Sequence, residues 1–454
     1  MGCGSVRGVY ESLGMSQNFL SCDRGQGMLL PPDFSEWLPA GHLAWFVIAV
    51  VDQLDLSVVY GYYRRDGRGR PAHDPAMMVA LLLYAYAIGV TSSRAIERRC
   101  VDDVAFRVIS ANRLPDHATI ARFLVRHRRA IQGLFFEVLA LCRRSGMVSV
   151  GTVAVDSTKL AANASAAQNR TLEGLEAEAR RIVEEAIETD RREDQLYGDR
   201  RGDELPQELA DPRTRKDRIK ELLEQARREQ AAAEAARAQQ IASHQPDAVS
   251  GKRARGRSPK PEGGRRQRAV FAKKYNLTDP DSGVVRHRGM LLQGYNVQLA
   301  ASEDQVILAV RGSGVSPDGG QLEAMVEAAQ RNLERIGVKD RVEQVLADTG
   351  YWDARQIKTL RTRGIRALIP PANRKRGKYA SPEVALMHQH LADPDVARQY
   401  RRRKQIIEPV FARTKHHRGI TRLLRRGKPA VQAEIDLIAT THNLLKLKTA
   451  LATA

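Results

Sequence analysis

Cysteine is scarce in this chain. Its 454 residues hold only Cys3, Cys22, Cys100 and Cys142, and no two form a CxxC pair. That argues against a zinc knuckle and against a disulfide framework, and it reads as a reduced, intracellular protein. Long apolar runs are lacking as well. Met77–Val90 is apolar for 14 residues, short of the ~20 needed to cross a bilayer, and reads as a buried core helix. His42–Val51 is shorter still. No basic region followed by an apolar stretch opens the chain, so no secretory signal is expected and the location is expected to be cytoplasmic. Hydrophobic residues stand at 43%, below the usual share, which points to a segment that buries little. Acids are in deficit: 53 Asp and Glu against 73 Lys and Arg leave a net charge of +20 and a pI of about 10.0. That excess favours a polyanionic partner, nucleic acid first, over a generically basic soluble protein.

Residues 1–30 read as a disordered extension and 31–147 as a helical domain. Pro75 suits the first turn of a helix running through Tyr86. Ser92 or Ser93 caps a short helix, Arg94–Arg99, and Val101–Ile109 follows. Asp116 caps a longer one, Ala118–Leu141, with apolar Ile120, Phe123, Leu124 and Phe135 and basic Arg122, Arg126, Arg128 and Arg129. Short helices ending in a basic, amphipathic one have the layout of a helix-turn-helix, with Arg122 and Arg126 placed to meet DNA. An ordinary bundle with a solvated basic face has the same pattern. Val148–Asp156 then reads as a buried strand ending at an aspartate.

The character changes over 166–269. Leu172, Leu175, Ala179, Ile182 and Ala186 form a heptad seam, and Ile219, Leu222, Leu223 and Ala226 begin another, separated by the polar stretch Asp190–Pro212. This predicts a helical hairpin arm. A flexible basic linker follows at 251–274, with ten Lys or Arg, Arg265 and Arg266 among them, against the single acid Glu262. It should track phosphates, or simply be solvated. Strands resume at Gly289–Ala301 and Gln305–Gly312. Then come a helix at Gly320–Ile336, a strand at Gln344–Asp348, a helix at Ala354–Arg363, a strand at Ile365–Pro370 and a helical region from Val396 to Leu447.

Two of the predicted strands end in aspartate after an apolar run: Val153-Ala154-Val155-Asp156 and Val345-Leu346-Ala347-Asp348. One such acid is commonplace; two in neighbouring strands are less so. Phosphodiester cleavage needs charge neutralised on both the attacking and the leaving oxygen, which a pair of divalent ions held by converging carboxylates supplies. A third acid stands out by context. Arg398–Lys428 contains twelve Lys or Arg and only Glu408 as an acid. Glu408 fits either a metal ligand in a DNA-attracting field or a salt-bridge partner of Lys404 or Arg401. Pro409 leaves two backbones open there, a kinked helix or one restarting at the proline. His416-His417 lack a partner spacing for metal, Asp102-Asp103 suit a helix start, and His442-Asn443 suit packing of the last helix.

The stretch Val153-Ala154-Val155-Asp156-Ser157-Thr158-Lys159 resembles the first-aspartate strand of bacterial insertion-sequence DDE transposases. Ala347-Asp348-Thr349-Gly350-Tyr351-Trp352 resembles their second-aspartate motif. Tyr400 through Phe411, with Lys415, is similar to their Tyr/Arg/Glu/Lys signature. Gly294-Tyr295-Asn296-Val297-Gln298 and the arm stretch Glu193–Gly198 are similar to one subgroup. The resemblance spans about residues 35–447. It implies an α/β fold: an RNase H-like catalytic core (148–165 and 270–450) interrupted by a helical hairpin insertion and preceded by an all-α N-terminal domain. It implies a transposase that cuts at terminal inverted repeats and transfers strands into target DNA, with Asp156, Asp348 and Glu408 holding Mg²⁺, or Mn²⁺ in its place. The partners implied are double-stranded DNA and a second copy of the chain in a synaptic homodimer, with nucleoid association when bound and no membrane. Lys159, Tyr400, Arg403, Lys404 and Lys415 would meet DNA, and Tyr351 and Trp352 would stack on a displaced base or pack in the core. The signature places an arginine four residues before the glutamate and a tyrosine seven before. Here those positions hold Lys404 and Arg401, with Tyr400 and Arg403 each displaced by one. A catalytically inactive DNA-binding regulator derived from a transposase is the alternative reading.

Overall fold

The computed structural model describes residues 34–63, 72–181, 212–242, 274–287, 289–314, 318–371 and 382–453. The expected extension 1–30, the tip of the arm and the basic linker with Arg265 and Arg266 lie outside them.

Seven helices come first: α1 (Leu43–Val51), α2 (Ser57–Tyr60), α3 (Pro75–Ala87), α4 (Ser93–Asp102), α5 (Val104–Ile109), α6 (His117–Arg126) and α7 (Arg128–Arg144). Asp74 caps α3 by accepting from Met77 N, and Pro75 sits in the first turn, where its missing N–H costs nothing. Every residue of α3 but Ala76 and Met77 is buried, as its unbroken apolar run requires. Two expectations are corrected here. Val101 belongs to the last turn of α4, which ends at Asp102, rather than starting the next helix, because Asp103 leaves helical geometry and caps α5. The long helix after Asp116 is two, broken at His127, whose ring is buried among Tyr62, Tyr63 and Phe123.

A six-stranded mixed sheet follows. Its strands are β1 (Thr152–Ala161), β4 (Gly283–His287), β5 (Met290–Ser302), β6 (Ile307–Ser313), β7 (Gln344–Leu346) and β8 (Arg366–Leu368). β2 (Asn169–Arg170) and β3 (Tyr275–Asn276) pair separately. β1 is central, antiparallel to β5 and parallel to β7, which in turn is parallel to β8. β4 and β6 share the other edge of β5. β1 does not end at Asp156: it runs five residues further, because β5 pairs with it from Val153 through Ala161.

Between β1 and β4, a helix at 172–181 (α8) and α9 (Pro212–Ala242) bury Leu175, Leu222, Ala226 and Tyr275 in a small cluster of their own. After β6 come α10 (Leu322–Arg335), α11 (Ala354–Thr362), α12 (Pro382–Ala392), α13 (Pro394–Ala412) and α14 (Lys428–Thr453). The main core is continuous from α1 to α14. The last helix joins helical region and sheet. Its Asn443 clasps the backbone N–H and C=O of Ile307 on β6, and its Asp436 accepts from Gln132 on α7.

Candidate active site

Parallel pairing aligns Thr152 with Gln344, Val153 with Val345 and Ala154 with Leu346. Two residues further along both chains stand Asp156 and Asp348. The sheet therefore sets two carboxylates side by side. Asp348 is half-buried and caps the turn Thr349–Tyr351 by accepting from Gly350 N at 2.9 Å. Asp156 accepts from its neighbour's Ser157 N at 2.7 Å and from Arg403 Nη1 at 2.7 Å. Burial pushes Asp156 up to about 6. The nearby Asp348 charge adds to this, against the Ser157 N–H and Arg403. Burial alone would weaken Arg403's hold on its proton, but Asp156, Tyr400 and Asp348 outweigh it and raise its pKa. Tyr400, half-buried beside Arg403, has its hydroxyl raised, chiefly by burial.

Arg403 comes from α13, which also carries Glu408. The helix is tied to β1 at a second point, where Lys415 Nζ donates to Lys159 O at 2.8 Å. Glu408 lies in the chain between these ties, one residue past the buried Ile407, with its side chain exposed. Among the described residues Glu408 makes no hydrogen bond or ion pair, to Lys404 and Arg401 included. The structure thus brings Asp156, Asp348, Arg403 and Tyr400 together and leaves Glu408 facing solvent. No group of three or more His, Cys, Asp or Glu close enough to hold a metal occurs among the described residues. The two adjacent, half-desolvated carboxylates still fit a hard cation. Such an ion takes a few protein oxygens and completes its shell with water and substrate phosphate, and a cationic guanidinium already sits against one of them.

Successive residues of β1 point to opposite faces. Opposite to Asp156, Ser157 and Lys159 meet Gln298 and Asn296 of β5, their register partners. Lys159 Nζ donates to Ser157 Oγ and Asn296 Oδ1, both at 2.7 Å, and lies 3.4 Å from Asp318. Asp318 accepts from Asn296 Nδ2 at 2.8 Å and Gln298 Nε2 at 2.7 Å. Burial would raise Asp318, yet the hydrogen bonds from Asn296, Ser157 and Gln298, with the Lys159 charge, hold it below the ordinary carboxylate value. Tyr351 is fully buried with its hydroxyl on Gln298, which leaves its ring no open face for a base; Trp352 is half-buried. Lys404, Arg122 and Arg126 are exposed. The sequence reading missed Asp318. The signal for its neighbours was there, in two amides two residues apart, Asn296 and Gln298, within a mostly apolar strand.

Beyond the π-helical turn Arg413–His417, residues 418–427 are non-helical and firmly held. Arg418 is buried and donates to Ile438 O, Thr441 Oγ1 and Thr414 Oγ1. Buried Glu434 accepts from Leu424 N and Arg425 N. Asp279 and Asp281 accept from Gly427 N and Lys428 N, and Arg422 bridges to Ala161 at the end of β1. Arg422 and Arg426 on this pinned loop, and Lys428 where it enters α14, remain exposed.

Two family models match. Residues 32–126 match a transposase domain (DUF772) and residues 373–448 a transposase DDE domain. Together the two matches support an insertion-sequence DDE transposase. The first match covers α1 to α6. The second takes in Tyr400, Arg403, Glu408 and Lys415, and Asp156 and Asp348 lie outside both. No curated protein and no solved structure matches the chain. No described helix is long and apolar enough to cross a membrane.

Proposed function

We propose that this transposase cuts DNA at the terminal inverted repeats of its element and joins the freed ends to target DNA, with Asp156, Asp348 and Glu408 as its acidic residues. The observation that carries this reading is the pair Asp156 and Asp348. They lie 192 residues apart in sequence (348 − 156), yet parallel pairing of β1 with β7 sets them side by side, under a helix from the segment that matches the DDE domain. The order strand, antiparallel hairpin, helix, strand, helix, strand, helix is that of an RNase H-like core, and α8 and α9 fall where an insertion leaves such a sheet intact.

Bound Mg²⁺ or Mn²⁺ would supply a nucleophile at neutral pH and neutralise charge on the leaving oxygen. The chain's own residues do the rest. Asp156 and Asp348 hold the cation, and Glu408, on a side chain free to turn, completes the set. Arg403 neutralises Asp156 until then and is at hand for a substrate phosphate afterwards, as a planar fork suited to bidentate contact. Tyr400 holds Arg403. The pinned loop offers Arg422, Arg426 and Lys428 to the DNA backbone as fixed cations, and α6 offers Arg122 and Arg126. The basic linker, with Arg265 and Arg266, adds non-specific affinity. Paired ends call for two copies of the chain in the synaptic complex.

The test is cleavage, in Mg²⁺, of duplex DNA carrying the sequences that flank the gene. The wild-type chain should nick at the repeat ends. Asp348→Asn and Glu408→Gln should each fall to background while still binding the duplex. A Glu408→Gln chain cutting at the wild-type rate removes Glu408 from the mechanism. A wild-type chain that binds but never cuts is the inactive regulator instead.

A further inference from the structure

Asp318 belongs to none of the acid positions named above, yet it lies beside one of them, Asp348. A Cβ placed on Gly350 would stand 3.0 Å from Asp348 Oδ1 and 3.5 Å from Asp318 Oδ2, so the two carboxylates flank the same glycine. Asp318 faces Lys159, a cation on the inner side of β1. That ammonium has three protons and three acceptors: Ser157 Oγ, Asn296 Oδ1 and Asp318. Its side chain is only 15% exposed, so its charge is weakly screened. Through Gln298, Asp318 also reaches the hydroxyl of Tyr351, which sits in the turn that Asp348 caps.

We propose that Asp318 is a positioning residue for the Asp156–Asp348 pair: it holds Lys159 as its counter-ion and so keeps an uncompensated ammonium from opposing the cation these acids bind. The inference rests on the metal-dependent reading above. Without Asp318, Lys159 would keep two neutral acceptors and a full charge beside the glycine that Asp348 also flanks, where it would repel a divalent ion. Asp318 thus acts on the metal through a neighbour, as outer partners of metal ligands do. The charge argument makes a demand that a purely architectural role does not: removing Lys159 together with Asp318 must undo the damage.

The experiment is Mn²⁺ binding to the full chain in the absence of DNA, read by the electron paramagnetic resonance signal of free Mn²⁺, with thermal unfolding of each metal-free variant alongside. Asp318→Asn should weaken Mn²⁺ binding about tenfold. Lys159→Met should bind at least as tightly as wild type. The double variant should return to within about threefold of wild type, restoring what Asp318→Asn lost. Asp318→Asn binding like wild type, or a double variant no better than Asp318→Asn, overturns the proposal. Should Asp318→Asn not fold, Lys159→Met decides alone, and a tenfold loss there overturns it. A wild-type chain that binds no Mn²⁺ sinks the metal-dependent reading and this inference together, whereas normal wild-type binding with an indifferent Asp318→Asn sinks only the inference.

Discussion

Replacing Asp156 by asparagine should stabilise the metal-free protein at neutral pH. The carboxylate's pKa stands at about 6 rather than 3.8, so at pH 7 its charged form is disfavoured by ~3 kcal/mol, at ~1.4 kcal/mol per pH unit. That figure already includes the attraction of Arg403, which is one of the opposing causes. Asparagine has the shape of the protonated acid and carries no charge, but its single carbonyl oxygen can accept from Ser157 N or from Arg403, not from both. Arg403 is not stranded by the change, because Tyr400 and Asp348 still face it. Less about 1 kcal/mol for the acceptor that is lost, the expected gain is ~1–2 kcal/mol, or a rise of ~2–4 °C at ~2 °C per kcal/mol. The sign with pH follows from linkage. A raised acid binds its proton more tightly in the native state, so wild-type stability falls as pH rises from about 4 to about 6, and the cost is complete above that window. The advantage of Asp156→Asn should be full at pH 7 and gone at pH 4. Asp436, also pushed up to about 6 by burial, is present in both chains and cancels in the difference. The assay is thermal unfolding in a metal chelator at both pH values, repeated with Mg²⁺, which should stabilise only the wild type. An Asp156→Asn chain less stable than wild type at pH 7, or an advantage that does not shrink on acidification, would refute the reasoning.

Two further outcomes follow from the loop and its neighbours. Arg422→Gln with Lys428→Gln should leave unfolding unchanged, because the loop is held by buried groups, while the log–log salt slope of duplex binding flattens by about 0.9 for each phosphate the variant no longer neutralises; an unchanged slope excludes this loop from the DNA surface. Gly89 sits at φ +84°, and a Cβ there would lie 1.9 Å from Arg418 O. Gly89→Ala should therefore cost well over the ~1–2 kcal/mol of left-handed backbone alone, which Gly146→Ala, at φ +72° with open space, should show by itself; equal losses in the two variants would mean the approach to Arg418 relaxes freely.

The neighbourhood of Asp348 could be read from the sequence, because Val345-Leu346-Ala347 is a short apolar strand whose end the chain marks plainly. Asp156 is legible too, but the sequence puts it at the end of its strand, whereas it stands in the middle. The residues after it, Ser157, Thr158 and Lys159, look like a loop. They form a strand because β5 brings Asn296 and Gln298, and the approach to α10 brings Asp318, to receive the polar side chains. Those partners lie 137 to 159 positions away, and no local pattern announces them. The break at His127 is similar: a histidine is an ordinary helix residue, and only the surrounding aromatic rings explain why it turns inward here.

Proline 409 shows how far such distant partners reach. The sequence offered a kink or a restarted helix, since proline cannot donate to the carbonyl four residues back and its ring crowds that turn. The helix does not restart there, and α13 runs on through Pro409. The carbonyl deprived of its donor is that of Gln405, and Gln305 Nε2 from the β5–β6 turn donates to it at 3.0 Å. A tertiary hydrogen bond thus replaces the missing helical one. Because the helix is unbroken, Arg403 and Glu408 ride on one rod, tied to β1 at Asp156 and, from Lys415 within the π-helical turn, at Lys159 O. The rod fixes where Glu408 starts from even though its side chain faces solvent. Ile407 takes the inward position next to it, so a contribution from Glu408 to the site requires its own side chain to swing rather than the helix to rotate. Rotation would drag buried Ile406, Ile407 and Val410 out of the core, at roughly 1.5–3 kcal/mol for each exposed side chain, whereas turning an exposed glutamate about its own bonds costs little.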